Sequence, residues 1–322
     1  MKKKVALHNL GCKVNAYEVE AMQQLLENAG YETVPFEEGA DVYVINTCTV
    51  TNIADRKSRQ MLHKAKKMNP DAIVVATGCY AQADTEKLKE DTAVDLILGN
   101  NQKTQIVEAL EEYEKEHAKQ VQVIEINHTK EYEELSISST AEHVRAYIKV
   151  QDGCNQFCTY CIIPFARGRV RSRKIEEVLS EVETLAAKGY KEVVLTGIHL
   201  SSYGVDFPKE ERESLLSLIQ AVSRVEGISR IRLGSLEPRI ITEEFLEGIV
   251  KTGKVCPHFH LSLQSGCNKT LKNMNRRYSA QEYAEKCELI RKFYPAPALT
   301  TDVIVGLSLI HISEPTRPIS IS

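Results

Sequence analysis

The chain has 322 residues, of which 43% are hydrophobic, and a formal net charge of −3. This length suffices for two domains with their own cores, and the balanced charge excludes a globally basic nucleic-acid-binding protein. No apolar run is long enough to span a membrane, and nine cysteines are too few for a disulfide scaffold. His8 and Asn9 interrupt the short apolar run after Lys2–Lys4, so no signal peptide is predicted. These features favour a reduced, cytoplasmic protein.

Residues 1–125 alternate apolar strands with helices. Strands are predicted at residues 4–8, 41–46, 72–77 and 93–98. Helices are predicted at residues 17–29, 53–67, 85–89 and 104–113. Short connections between alternating strands and helices predict an α/β fold with an open parallel sheet that is covered on both faces.

Three cysteines, Cys12, Cys48 and Cys79, each follow the end of a predicted strand; we call them the edge cysteines. Because the carboxyl ends of parallel strands meet at one edge of a sheet, three separate turns can bring these thiols together. From geometry alone it is equally possible that the three cysteines are independent packing residues, since cysteine also serves as a small hydrophobic residue at strand ends.

A polar stretch at residues 126–143 separates the first domain from the second, and its composition predicts a connector. A strand at residues 145–150 then leads into Cys154, Cys158 and Cys161, which we call the loop cysteines. Thiolates at this spacing can share one metal site or one iron–sulfur cluster. Zinc is disfavoured because no fourth Cys or His follows nearby. The alternative to a metal site is that the three cysteines are buried and inert.

The loop cysteines resemble the signature of radical S-adenosylmethionine (SAM) enzymes, with Tyr160 as the aromatic residue before the third cysteine. The segments Gly11-Cys12-Lys-Val-Asn15, Asn46-Thr-Cys48 and Thr77-Gly-Cys79 are similar to the amino-terminal domain of methylthiotransferases within that superfamily. This resemblance implies two 4Fe–4S clusters, one on the edge cysteines and one, with SAM, on the loop cysteines.

Residues 144–306 repeat a strand–helix unit. Further strands are predicted at residues 192–195, 230–233, 258–263 and 300–305. Helices are predicted at residues 175–188, 214–225, 242–251 and 280–292. The repeat predicts a partial, truncated (βα) radical SAM barrel with its site at the carboxyl ends of the strands. The resemblance places SAM against the residues that follow those strands, namely Thr196, Gly197, Glu237, Gln264, Ser265 and Asp302.

Four arginines alternate after the loop cysteines. They are Arg167, Arg169, Arg171 and Arg173. In an extended segment they share one face, where they are predicted to bind RNA phosphates. The alternative is that some of them bind the SAM carboxylate or the neighbouring domain. A second basic segment begins at Arg56 and continues to Lys67, which by itself is typical of a solvated helix face.

The last residues, 307–322, depart from the family pattern, which continues with a sixth βα unit and an RNA-binding domain. We interpret them as an aberrant tail, an artefact of translated adapter sequence or a truncated reading frame, and the resemblance is assigned to residues 1–306.

By resemblance, the chain is expected to methylthiolate adenosine in tRNA. The Gly-Cys-Lys-Val-Asn motif is most similar to the branch that acts on N6-threonylcarbamoyladenosine beside the anticodon. Alternatives are a sister methylthiotransferase that acts on isopentenyladenosine or a ribosomal protein aspartate, and a non-enzymatic Fe–S protein that binds RNA or senses redox state. The expected partners are tRNA and an electron donor such as a flavodoxin or ferredoxin, and a monomer is expected.

Overall fold

The computed structural model describes residues 2–140, 145–211 and 213–308. Within them the chain forms two compact units. Unit 1 runs to Ile137 and also contains Phe165–Gly168, and unit 2 contains the remaining described residues. The predicted domain limits, 1–125 and 144–306 with a connector between them, remain predictions. No helix in the described ranges is long and apolar enough to cross a membrane.

Unit 1 is a helix-covered parallel sheet. Its strands are β1 (Lys4–Asn9), β2 (Glu32–Thr33), β3 (Val42–Thr47), β4 (Ile73–Gly78), β5 (Leu96–Leu98) and β6 (Gln120–Gln122). Its helices are α1 (Lys13–Asn28), α2 (Asn52–Met68), α3 (Cys79–Ala83), α4 (Thr85–Glu90) and α5 (Ile106–Glu116). The order is β2-β1-β3-β4-β5-β6, with every pair parallel. The strand order reverses between β1 and β3, where α/β sheets commonly bind ligands.

Strand β3 shows why both faces of this sheet are covered. Val42 and Val44 pack into a core on one face, whereas Tyr43 and Ile45 pack into a core on the other. All four side chains are fully buried, and burial of each of the three aliphatic ones contributes about 1.5–3 kcal/mol. The prediction of an open parallel sheet is confirmed.

The polar stretch after β6 folds against unit 1 as far as Ile137. Leu135 and Ile137 are each 2% exposed. The Tyr17 hydroxyl donates a hydrogen bond to the Leu135 carbonyl oxygen at 2.5 Å, and the Glu133 carboxylate accepts from the backbone N–H groups of Lys103 and Thr104. Much of the predicted connector therefore packs as part of the first unit, and residues 141–143 lie outside the described residues.

Unit 2 carries the repeated strand–helix pattern. The strands are β7 (Arg145–Asp152), β8 (Arg171–Ser172), β9 (Glu192–Gly197), β10 (Arg230–Leu233), β11 (His258–His260) and β12 (Ala298–Thr300). The helices after residue 140 are α6 (Ile163–Ala166), α7 (Ile175–Ala187), α8 (Leu215–Ser223), α9 (Glu243–Lys251), α10 (Asn268–Asn273) and α11 (Ala280–Phe293).

The strands of unit 2 form a partial barrel. Strands β7, β9 and β10 are parallel neighbours, and the short β8 pairs antiparallel with β7. Strands β11 and β12 form a parallel pair, and a parallel bridge joins Leu236, after β10, to Leu261, after β11. The predicted partial (βα) barrel is confirmed. The last strand is shorter than predicted and begins earlier, at Ala298 rather than Thr300.

Candidate metal centres

Unit 1 brings the edge cysteines to one end of its sheet. Cys12 is the N-cap residue of α1, Cys48 directly follows β3, and Cys79 is the first residue of α3 after β4. The three sulfurs lie near enough to one another that an ionised form of one would repel those of the others. Cys48 and Cys79 are buried, whereas Cys12 is exposed. The thiols thus flank the reversal of strand order between β1 and β3 and lie open to solvent at Cys12.

Gly78 gives the chain the backbone it needs before Cys79. Its φ is 91°, a left-handed value that favours glycine. A Cβ atom at this position would lie 2.3 Å from Asn46 Oδ1 and 2.6 Å from the Thr47 carbonyl oxygen. Only glycine therefore allows β4 to turn into α3 with Cys79 facing the other edge cysteines.

Cys48 is fixed by the helix that follows it. The Ser58 hydroxyl in α2 accepts a hydrogen bond from the Cys48 backbone N–H at 3.2 Å and donates one to the Cys48 carbonyl oxygen at 3.0 Å. Burial raises the pKa of the Cys48 thiol to about 12. A metal group that binds this sulfur as a thiolate must therefore displace a proton.

Arg167 lies in unit 1 among the edge cysteines, which differs from its predicted contact with RNA. Its side chain is fully buried, and its guanidinium Nε donates to Cys79 Sγ at 3.1 Å. The same group donates to Glu18 Oε1 at 2.8 Å and to Asn15 Oδ1 at 2.7 Å. A guanidinium enclosed in this way has no access to a phosphate of a large ligand.

Two further arginines of the alternating set are also buried in ion pairs, contrary to the RNA prediction. Arg171 Nη2 lies 3.9 Å from the Asp152 carboxylate, and Arg173 contacts the Glu181 carboxylate. They are 0% and 5% exposed, respectively. Arg169 is partly exposed and stacks over the Phe157 ring at 4.4 Å from its centroid. A contact with RNA remains a prediction for Arg169.

The loop cysteines lie after β7 in unit 2. Cys154 and Cys158 are each 9% exposed, and the three sulfurs lie near enough that an ionised form of one would repel the others. Burial raises the pKa of Cys154 to about 11 and that of Cys161 to about 12. As at Cys48, the thiolate form of Cys154 and Cys161 requires a positively charged partner.

The segment after α10 holds the cysteine loop in place. Asn275 Nδ2 donates to the carbonyl oxygens of Gln156 and Phe157, at 3.1 and 3.0 Å. The Thr159 backbone N–H donates to the Met274 carbonyl oxygen at 3.2 Å. The three loop sulfurs are therefore positioned by contacts from a distant part of the chain.

Arg276 is a functional candidate that the sequence analysis missed. Its Nη2 donates to the Tyr160 hydroxyl at 2.5 Å, and that hydroxyl donates to Gln264 Oε1 at 3.1 Å. Burial raises the pKa of Tyr160 to about 12, so the hydroxyl stays protonated and bridges the two side chains. The available signal was the run Arg276-Arg277-Tyr278 directly after a short helix beyond a barrel strand.

Glu237 lies in a cavity of about 360 Å³ whose lining also includes Asn155, Gln156 and Arg277. Burial by itself raises the pKa of Glu237, but hydrogen bonds with His199 and Arg239 hold it at about 2. Glu237 is therefore a carboxylate at neutral pH and accepts hydrogen bonds from donors in the cavity.

Of the other residues predicted to bind SAM, Thr196 and Gly197 end strand β9, whereas Ser265 and Asp302 follow β11 and β12. Thr196 is 3% exposed, and a Cβ at Gly197 would lie 2.8 Å from Gln151 Oε1. Ser265 is half-buried, and Asp302 pairs with His260 at 3.3 Å. Their roles remain predictions.

The donor sets fit iron–sulfur clusters better than a single ion. No group of three or more His, Cys, Asp or Glu side chains in the described ranges could hold one metal ion. A single zinc ion needs all sulfurs at about 2.3 Å from one point, whereas a 4Fe–4S cluster binds each cysteine at a different iron. The three edge cysteines and the three loop cysteines are donors of the kind that such a cluster would take.

A larger cavity of about 930 Å³ lies at the opposite edge of the unit 1 sheet, against Lys4, Glu32 and Asp41 at the beginnings of its strands. None of the predicted site residues lines it. We assign it no role, because its lining mixes lysines and carboxylates without a cluster of groups suited to catalysis or metal binding.

The three remaining cysteines differ in exposure and in the direction of their pKa shifts. Hydrogen bonding from the Thr270 backbone lowers the pKa of exposed Cys267, whereas burial raises the pKa values of Cys256 and Cys287. We expect iodoacetamide to modify Cys267 first, and its reaction rate to reach half-maximum at a lower pH than those of the other two. Mass spectrometry of peptides labelled between pH 6 and 10, roughly the range of thiol titration, measures this order. Equal rates at Cys267 and Cys287 would contradict it.

Sequence comparisons match each unit to a family. Residues 4–99 match a family described as uncharacterized protein family UPF0004, and residues 148–313 match the radical SAM superfamily. The second match extends to residue 313, whereas the resemblance predicted from the motifs ended at Gly306. The proposed aberrant tail lies almost wholly outside the described residues, which end at Ser308.

Curated relatives include threonylcarbamoyladenosine tRNA methylthiotransferases. That of Bacillus subtilis is 45% identical over 302 residues, covering 94% of this chain and 66% of the relative. That of Aquifex aeolicus is 47% identical over 303 residues, covering 94% of this chain and 73% of the relative. The chain thus spans about two thirds of the length of these relatives. A tRNA-2-methylthio-N6-dimethylallyladenosine synthase of Pelotomaculum thermopropionicum is 37% identical over 310 residues, covering 94% and 68%.

Solved structures support the fold. The radical SAM methyltransferase TsrM from Kitasatospora setae, with cobalamin and a [4Fe–4S] cluster bound, aligns with a TM-score of 0.61 at 14% identity, covering 94% of this chain and 66% of TsrM. The cobalamin-dependent radical SAM enzyme OxsB aligns at 0.62 and 11% identity, covering 94% and 49%. At these identities the likeness concerns the fold alone. The family matches and the curated relatives show that the chain belongs to the methylthiotransferase family of radical SAM enzymes.

Proposed function

We propose that this protein inserts a methylthio group into an adenosine of tRNA, and that its target is N6-threonylcarbamoyladenosine beside the anticodon. The observation that carries the proposal is the pair of three-cysteine sets, one in each unit, in a chain whose high-identity relatives bear that activity in their names. The motif around Cys12 favours this target over those of the sister branches.

A 4Fe–4S cluster and SAM follow from membership of the radical SAM superfamily. We assign that cluster to the loop cysteines and a second cluster to the edge cysteines. When bound, the cluster and SAM supply the one-electron chemistry that opens an unactivated C–H bond. The edge cysteines would hold the group from which sulfur is delivered.

The side chains of unit 2 position SAM and keep the site ordered. Glu237 offers a permanent carboxylate to the cationic groups of SAM, and its own neighbours His199 and Arg239 keep it charged. Arg276 carries a guanidinium beside the loop cysteines and is suited to the SAM carboxylate. Tyr160 links Arg276 to Gln264, so the three side chains support one another at the wall of the site.

The compartment, the oligomeric state and the electron donor are proposed on the same basis. All nine cysteines are unpaired, which fits a reducing cytoplasm. We propose a monomer that receives electrons from a small carrier such as a flavodoxin or ferredoxin. Gel filtration of the reconstituted protein tests the monomer, and reduction of its clusters by each carrier tests the donor.

The direct test of function is the mass of the modified nucleoside. Reconstituted protein, SAM, reductant and tRNA that carries N6-threonylcarbamoyladenosine should yield the 2-methylthio derivative, detected by mass spectrometry after nuclease digestion. Alanine at Cys158 should abolish the product. Product only on isopentenyladenosine tRNA, or only on a ribosomal protein, would establish a sister enzyme instead. SAM that stays intact under reduction would favour a non-enzymatic Fe–S protein.

Helix α2 is a better candidate for contact with tRNA than the alternating arginines, because its cations are exposed. The exposed face of α2 presents the cations of Arg56, Lys57, Lys64 and Lys67. The same helix holds Cys48 through Ser58. We propose that this face binds tRNA phosphates and brings the RNA to the edge cysteines.

Substitution of lysines on α2 tests this surface. Lys57→Gln, Lys64→Gln and Lys67→Gln together should weaken tRNA binding and reduce the slope of log affinity against log salt by about 0.7–0.9 for each phosphate that is no longer neutralised. A matched control makes the same charge change at three exposed lysines of unit 2, Lys188, Lys191 and Lys251. Equal loss of affinity in the two triple variants would exclude a specific role for α2.

A further inference from the structure

Arg167 has a position that neither RNA binding nor SAM binding explains. Its segment, Phe165–Gly168, belongs to unit 1 although the loop cysteines that precede it belong to unit 2. The Asn100 side chain anchors the backbone of this segment, since its Nδ2 donates to the Ala166 carbonyl oxygen at 2.6 Å. Arg167 is therefore a fixed part of the site formed by the edge cysteines.

Two kinds of contact of Arg167 have different consequences. The two terminal nitrogens bind Glu18 and Asn15, and these contacts would suffice to anchor the side chain. The Nε–H is directed instead at Cys79 Sγ, 3.1 Å away. Cys79 is 2% exposed, so this hydrogen bond to sulfur is shielded from water.

The charges around Arg167 are buried as well. Glu18 is fully buried and also lies 3.4 Å from Lys103 Nζ, whose side chain is equally buried. The Arg167 guanidinium and the Glu18 carboxylate therefore act on the edge cysteines with opposite signs: near Cys12, Arg167 favours the ionised sulfur and Glu18 disfavours it. Hydrogen bonds to cysteine sulfur, local net charge and solvent exposure set the reduction potential of an iron–sulfur cluster, and charges act most strongly where water is excluded.

We propose that Arg167 is a positioning residue for the cluster on the edge cysteines, which orients Cys79 Sγ through Nε–H and raises the reduction potential of that cluster. The inference rests on the proposed second cluster. It assigns Glu18 the opposite electrostatic effect, because its negative charge disfavours the added electron. A purely structural role for the same ion pair predicts no such opposition.

The test uses the full chain with Cys154, Cys158 and Cys161 changed to alanine, so that only the edge cysteines bind iron. Redox titration monitored by electron paramagnetic resonance measures the ratio of reduced to oxidised cluster at a fixed potential. Arg167→Gln should lower this ratio about tenfold and Glu18→Gln should raise it about tenfold, which is about 59 mV in each direction for a one-electron couple. Arg167→Lys keeps the positive charge but loses the Nε–H group that contacts Cys79 Sγ. Its ratio of reduced to oxidised cluster should be intermediate.

The outcomes are distinct. Shifts of opposite sign support the inference. Unchanged potentials, or shifts of the same sign in Arg167→Gln and Glu18→Gln, overturn it while leaving the second cluster in place. If the alanine background binds no iron, the second cluster and this inference fail together. If Arg167→Gln alone binds no iron, the Glu18→Gln and Arg167→Lys potentials decide the question.

Discussion

The central constraint on unit 1 is that parallel strands end at the same edge of a sheet. This constraint brings Cys12, Cys48 and Cys79 together from three separate turns. Gly78 makes the last of these turns feasible, because any Cβ there would overlap Asn46 and the backbone of Thr47. The site therefore depends on strand order and one glycine rather than on any local spacing of its ligands.

The loop cysteines, in contrast, come together because they are close in sequence. Their spacing places all three thiols in one loop, and the sequence alone predicted their common role. What the spacing did not predict is how the loop is held. Asn275 and Arg276 come from the segment after α10 and contact the loop and Tyr160. Both sites thus need residues far apart in sequence, one for its ligands and the other for its support.

The sequence predicted most helices and strands because caps and periodicity are local. Helices α8, α9 and α11 begin directly after capping residues Ser214, Thr242 and Ser279. The burial of Arg167 among the alternating arginines was not predicted, because its carboxylate partner Glu18 lies far away in the sequence. Their spacing suits a solvated extended face, but buried Glu18 and Glu181 bind two of them. A buried ion pair requires both partners to be known, and one sequence does not identify them.

The most direct test of two clusters in one chain is the iron and sulfide content per chain after anaerobic reconstitution. Two clusters predict about eight irons in the parent protein and about four in each of two variants, one with alanine at the edge cysteines and one with alanine at the loop cysteines. A parent that binds only about four irons, or an edge-cysteine variant whose iron content is unchanged, would contradict the presence of two clusters. The chain would then remain a radical SAM protein with one cluster, and the edge cysteines would be packing residues.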